Sequence, residues 1–153
     1  MTSILEKIEV TGRGLMKNRE CEVLILPSNE GQIRLFVENS PEPIILSVDN
    51  VVATNHCVVL GNRKSKAMLT EHFTAACAFM GIDSIDVHMS KSEMPILDGS
   101  SKEWVELFQK AGVEKKKREF YTVTEPVYYL NGKTHMIILA DGELNISYAV
   151  NYD

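Results

Sequence analysis

No apolar run in this 153-residue chain approaches the about 18–20 residues needed to cross a bilayer. The first ten residues carry Glu6, Lys7 and Glu9 and no apolar core, so they do not read as a secretory leader. Cysteine is scarce. Cys21, Cys57 and Cys77 are three in number and far apart, with no Cys-x-x-Cys pair, which excludes a disulfide framework and a zinc knuckle. Free thiols of this kind fit a reducing, cytoplasmic compartment. Positive charge is also short: 16 Lys and Arg against 21 Asp and Glu leave a net charge of −5. Phosphate-backbone binding needs a basic surface, so nucleic acid is excluded as the expected partner. The only cationic cluster evident, Lys115-Lys116-Lys117-Arg118, stands between Glu114 and Glu119 and reads as a solvated linker.

What is present is enough for a core. Apolar residues make up 44% of the chain and charged residues 24%, ordinary values for a globular protein. The length fits one domain, or one domain with an incomplete second.

The first half reads as strands. Residues 4–10, 22–26, 33–37 and 44–48 are short β-prone runs separated by Gly-, Pro- and Asn-rich punctuation. Val51-Val52 and Cys57 to Leu60 are expected to continue the same sheet. Then the period changes. Phe73, Ala76, Cys77 and Met80 fall at i, i+3, i+4 and i+7, a helical stripe stopped by Gly81. Ile85, Val87 and Met89 alternate with Asp86 and His88, which predicts a half-buried strand with His88 facing solvent. Trp104, Leu107, Phe108 and Ala111 form a second helical stripe ending at Gly112, with Ser100 and Glu103 spaced as a capping box.

Beyond the charged segment the chain turns to β again. Residues 120–130, 134–140 and 144–151 read as a three-stranded meander joined by Asn131-Gly132 and Asp141-Gly142. The predicted fold class is α+β: a two-layer sandwich of a β-sheet with helices, followed by an incomplete second domain of β-strands. The expected divisions are an N-terminal domain over 1–113, a linker over 114–119 and the truncated start of a second domain over 120–153.

The chemistry concentrates at Thr70-Glu71-His72-Phe73. An imidazole is a normal zinc ligand, and a neighbouring carboxylate can serve as general base. A helix N-terminus favours developing negative charge. On residue chemistry alone, such a pair is more often a first-turn carboxylate beside a solvated ring. Downstream, Glu93-Met94-Pro95-Ile96-Leu97-Asp98-Gly99-Ser100 reads as a turn built by Pro95 and Asp98-Gly99, leading into a helix that Ser100 caps.

The runs Met68 to Ala76, Gly81 to Val87 and Glu93 to Ser100 together resemble UDP-3-O-acyl-N-acetylglucosamine deacetylase, the LpxC family of lipid A synthesis. Thr11-Gly12-Arg13-Gly14-Leu15, Leu26-Pro27 and Glu125-Pro126-Val127 extend the resemblance over essentially the whole chain, which corresponds to the family's N-terminal half. The resemblance implies a zinc-dependent hydrolysis of an acetamide to acetate and a free amine. It implies His72 as a zinc ligand and Glu71 as the general base, while the segment matching Glu93 to Ser100, Asp98 included, is architectural. His56 is a candidate for the site entrance, although an exposed loop imidazole is the more common reading of such a residue.

Three departures bear on that implication. Where the family usually has His, then Ser or Thr, then Gly, this chain has Met16, Lys17 and Asn18, of which only Asn18 retains a left-handed preference. Val58 stands where the family commonly has Thr. The family's other two zinc ligands, an H-x-x-x-D pair, have no counterpart: four residues after His56, His72, His88 and His135 stand Leu60, Ala76, Ser92 and Leu139. The zinc site is therefore incomplete in this chain. One reading is a deacetylase half acting on UDP-3-O-acyl-N-acetylglucosamine with a C-terminal half, possibly a separate polypeptide. A second is a non-catalytic module binding a nucleotide sugar or a protein, which Met16 favours. A third is a remnant with an uncovered sheet.

Overall fold

The computed structural model describes residues 1–114 and 122–151. It falls into two compact units, Met1–Lys117 and Arg118–Asp153.

In the first unit, strands β1 (Ile8–Arg13), β2 (Glu20–Pro27), β3 (Ile33–Val37), β4 (Ile44–Ile45) and β8 (Ile85–Met89) form a five-stranded sheet ordered β1-β2-β8-β3-β4. All neighbours are antiparallel except β3 and β8, which run parallel with Leu35 opposite Val87. Alternation sends Cys21, Val23 and Ile25, Ile33, Leu35 and Val37, and Ile85, Val87 and Met89 to one buried face. Onto that core pack α1 (Glu71–Met80) and α2 (Lys102–Ala111), through Phe73, Ala76 and Cys77 and through Trp104, Phe108 and Ala111. Phe73 meets Trp104 edge-on at 5.3 Å between ring centroids, which locks the helices together. This is the expected α+β sandwich. Gly81 ends α1 in the left-handed conformation at φ 67°, as its position just past the stripe predicted. All three cysteines are free and buried.

Several expectations needed correction. The first strand begins at Ile8; Ile4 instead bridges Val113, and the Leu5 N–H donates to the Gly112 carbonyl beyond α2. The residues after Val48 do not continue the main sheet. β5 (Val51–Ala53), β6 (Val59–Gly61) and β7 (Lys66–Met68) form a separate three-stranded antiparallel sheet. The capping box is absent. Ser101 holds the N-cap position, the Ser100 hydroxyl accepts the Lys102 N–H at 3.0 Å and donates to Asp98, and Asp98 accepts the Ser100 N–H at 2.9 Å. Asp98 thus does the work assigned to Glu103, and the surrounding donors pull its carboxyl below the usual range. His88 does face outward from the sheet, half-buried, and its ring stacks on Phe36 of the neighbouring strand at 4.7 Å.

In the second unit, β9 (Val127–Asn131) and β10 (Thr134–Ile138) form a hairpin around Gly132 at φ 58°, the turn that Asn131-Gly132 predicted. The third strand of the meander does not form, and Leu144, Ile146 and Tyr148 are exposed. Asp141 takes the Gly142 N–H at 2.6 Å and the Asn145 side-chain amide at 2.8 Å, local bonds that compete with a ladder. Most of the expected linker, residues 115–119, lies outside the described residues.

Candidate active site

β6 and β7 deliver the chain to α1 through one unusual residue. Leu69, buried, sits at φ 59°, a left-handed conformation that branched apolar side chains rarely adopt. The turn aims Thr70 and Glu71 back at Val58, just before β6. The Thr70 hydroxyl donates to the Val58 carbonyl at 3.2 Å, and Glu71 Oε2 accepts the Val58 N–H at 3.0 Å. The Thr74 hydroxyl donates to the Thr70 carbonyl one turn along. Glu71 is thereby fixed at the helix start by main chain, half-buried, with one oxygen uncommitted.

His72, also half-buried, has no hydrogen-bond or ionic partner among the described residues, so its imidazole is available as a ligand. His56 is exposed, at φ 65°, two residues before Val58 and likewise unpartnered among them. No three His, Cys, Asp or Glu side chains gather into a metal-holding group among the described residues. The donor set contains a free imidazole and an adjacent carboxylate, which fit a first share of a zinc site and fall short of the three protein ligands it takes. A cavity of about 660 Å³ lies away from this place, on the outer sheet face beside Leu24, Phe36 and His88.

The segment behind the site explains why two distant motifs occur together. Met68 is flanked by the second motif: its N–H donates to the Ser92 carbonyl at 2.8 Å and its carbonyl accepts the Met94 N–H at 3.0 Å. Between them Glu93, 2% exposed, takes the backbone N–H groups of Met16 and Lys17, the latter at 2.8 Å. The turn is held so tightly that a Cβ on Gly14 would lie 2.3 Å from Glu93 Cδ, and one on Gly12 would lie 2.8 Å from Pro95 Cβ. The Gly-x-Gly segment is therefore shaped to the Glu-Met-Pro segment. Asn18 closes the turn at φ 49°, as expected of it.

Sequence reasoning singled out Glu71 and His72 without the Thr70 hydroxyl and the Val58 backbone that hold the start of α1. The Val58 side chain, where a hydroxyl is lost, is not the group that contacts Glu71. A Thr preceding the Glu-His pair was the only available signal.

The sequence model of the LpxC family, UDP-3-O-acyl N-acetylglycosamine deacetylase, matches residues 1–153. Similar curated proteins carry the name UDP-3-O-acyl-N-acetylglucosamine deacetylase. One from Trichormus variabilis is 30% identical over 99% of this chain and 56% of its own length. Another from Chlamydia muridarum is 29% identical over 98% and 54%. A third, from Oleidesulfovibrio alaskensis, is 31% identical over 99% and 52%. The chain spans about half the length of the curated relatives it matches.

Proposed function

Because the chain belongs to the LpxC family of UDP-3-O-acyl-N-acetylglucosamine deacetylases, we propose that it provides the general-base half of that hydrolysis in cytoplasmic lipid A synthesis. The observation that carries this reading is the pairing of a main-chain-anchored Glu71 with an unengaged His72 at the start of α1. Glu71 receives the proton of the attacking water on its uncommitted oxygen, while the Val58 N–H keeps the other oxygen in place. His72 is the imidazole that would hold zinc, and zinc bound there would acidify water and polarise the amide carbonyl.

The remaining ligands come from outside this set of residues, as the matched fraction of the relatives suggests. His72 shares its side of α1 with Ala75 and Phe79, the latter 72% exposed. That face leaves an apolar seat for the segment that brings them. Met16 favours a non-catalytic module, yet the turn it belongs to keeps its clamp on Glu93. A zinc titration followed by the His72 ring resonances tests the reading. Weak binding, lost in His72→Ala and tightened by adding the C-terminal half of a relative, is expected. Zinc affinity indifferent to His72 would overturn it.

A further inference from the structure

The loop joining β6 to β7, Asn62-Arg63-Lys64-Ser65, with Lys66 at its exit, is a second cationic cluster that the linker run had hidden in the sequence. We propose that it forms a binding site for a phosphate-type oxyanion, distinct from Glu71 and His72. It borders an open pocket of about 410 Å³ lined by Arg63, Lys64 and Lys66, with Ser65, Ser92 and Glu38. Three cations thus stand against two carboxylates, Glu38 in the lining and Glu42 beside Lys64, a local positive excess in a chain whose net charge is −5.

The loop is pre-organised. Asn62 Oδ1 accepts the N–H groups of Lys64 and Ser65, both at 2.8 Å, and the Asn62 amide donates to the Pro43 carbonyl at 3.2 Å. Lys64 is committed to Glu42 at 2.8 Å. Arg63 is close enough to help hold the Glu42 carboxyl below its ordinary range, yet neither it nor Lys66 spends its side chain on a hydrogen bond or a close ion pair among the described residues. Glu42 offsets part of the repulsion among these like charges, and an anion bound at Arg63 and Lys66 would offset the rest. Lys17 Nζ donates to Oγ of Ser92, one of the lining residues, at 2.9 Å, and the Ser92 hydroxyl keeps its own proton to donate. A guanidinium, an ammonium and hydroxyls thus line one polar concavity, the kinds of donor a phosphate takes up.

The oxyanion comes from a soluble phosphate compound or from an anionic lipid headgroup, and the probes separate these sources. Inorganic pyrophosphate is titrated into the full chain with amide shifts read at Gly61 to Lys66 and at Ser92. Co-sedimentation is measured with phosphatidylglycerol and with phosphatidylcholine vesicles. Saturable shifts confined to this loop, weakened at least tenfold in the Arg63→Gln/Lys66→Gln variant but not in Lys102→Gln, are expected for a soluble ligand. Phosphatidylglycerol-selective sedimentation with the same variant dependence assigns the site to a headgroup. A melt confirms that the variant is folded. Absence of both kinds of binding, or binding that survives the double variant, overturns the proposal.

Discussion

Glu71 Oε2 accepts the backbone N–H of Val58 at 3.0 Å, and Thr70 on the same turn donates its hydroxyl to the carbonyl of that residue. Both main-chain groups of one residue therefore position the start of the proposed catalytic helix. Main chain cannot be altered by the side chain at position 58, so the departure there leaves the anchor intact.

The anchor predicts an asymmetry between two substitutions. Thr70→Val keeps volume but removes the hydroxyl donor and leaves the Val58 carbonyl only the Thr70 N–H at 3.4 Å, and urea unfolding should show a loss of about 0.5–1.5 kcal/mol. Val58→Thr touches neither bond and should cost less than about 1 kcal/mol. Equal losses would show that the side chain at 58, and not its backbone, supports Glu71.

Gly14 and Glu93 predict a coupled pair. Gly14→Ala drives a methyl group into the Glu93 carboxylate, which should destabilise by about 1–3 kcal/mol. Combined with Glu93→Ala, the two losses should add to less than their sum, because the second change removes the atoms that the first collides with. Strict additivity in a denaturant double-mutant cycle would refute the packing of Gly14 on Glu93.

The helices and most of the main sheet were legible because each buries one face and so prints its period: Phe73 with Cys77, Trp104 with Phe108, Val23 with Ile25. β7 was not. It is three residues long with only Ala67 fully buried, and its partners set its conformation. Leu144, Ile146 and Tyr148 alternate like a strand but find no neighbour, so pattern without a partner misled. At the site, the Glu71-His72 pair could be read through family resemblance. The left-handed Leu69 that aims it could not, since no glycine marks the turn.

Burial raises the Cys77 thiol pKa well above its ordinary value of 9.0. A thiol raised in the folded state contributes stability that is fully present below the unfolded value and is lost as pH rises through it. Stability should therefore fall from about pH 9 upward, by at most about 1.4 kcal/mol per pH unit from this group. Cys77→Ala should flatten the decline in chemical denaturation between pH 8 and 10.5. An unchanged slope would mean the thiol ionises equally in both states.

Phe79 predicts a surface role. Phe79→Asp should leave the melt of this chain within about 0.5 kcal/mol of the parent, because the ring is 72% exposed. Joined or mixed with the C-terminal half of a relative, the same variant should lose association. Undiminished association in a pull-down between the two purified pieces would place the seat elsewhere.

The most direct test is acetate release from UDP-3-O-acyl-N-acetylglucosamine by the purified, folded chain with stoichiometric zinc. The account predicts no useful turnover from the chain alone and Glu71-dependent turnover once the C-terminal half of a relative is supplied. Zinc-dependent turnover by the isolated chain, abolished by Glu71→Ala, would contradict it.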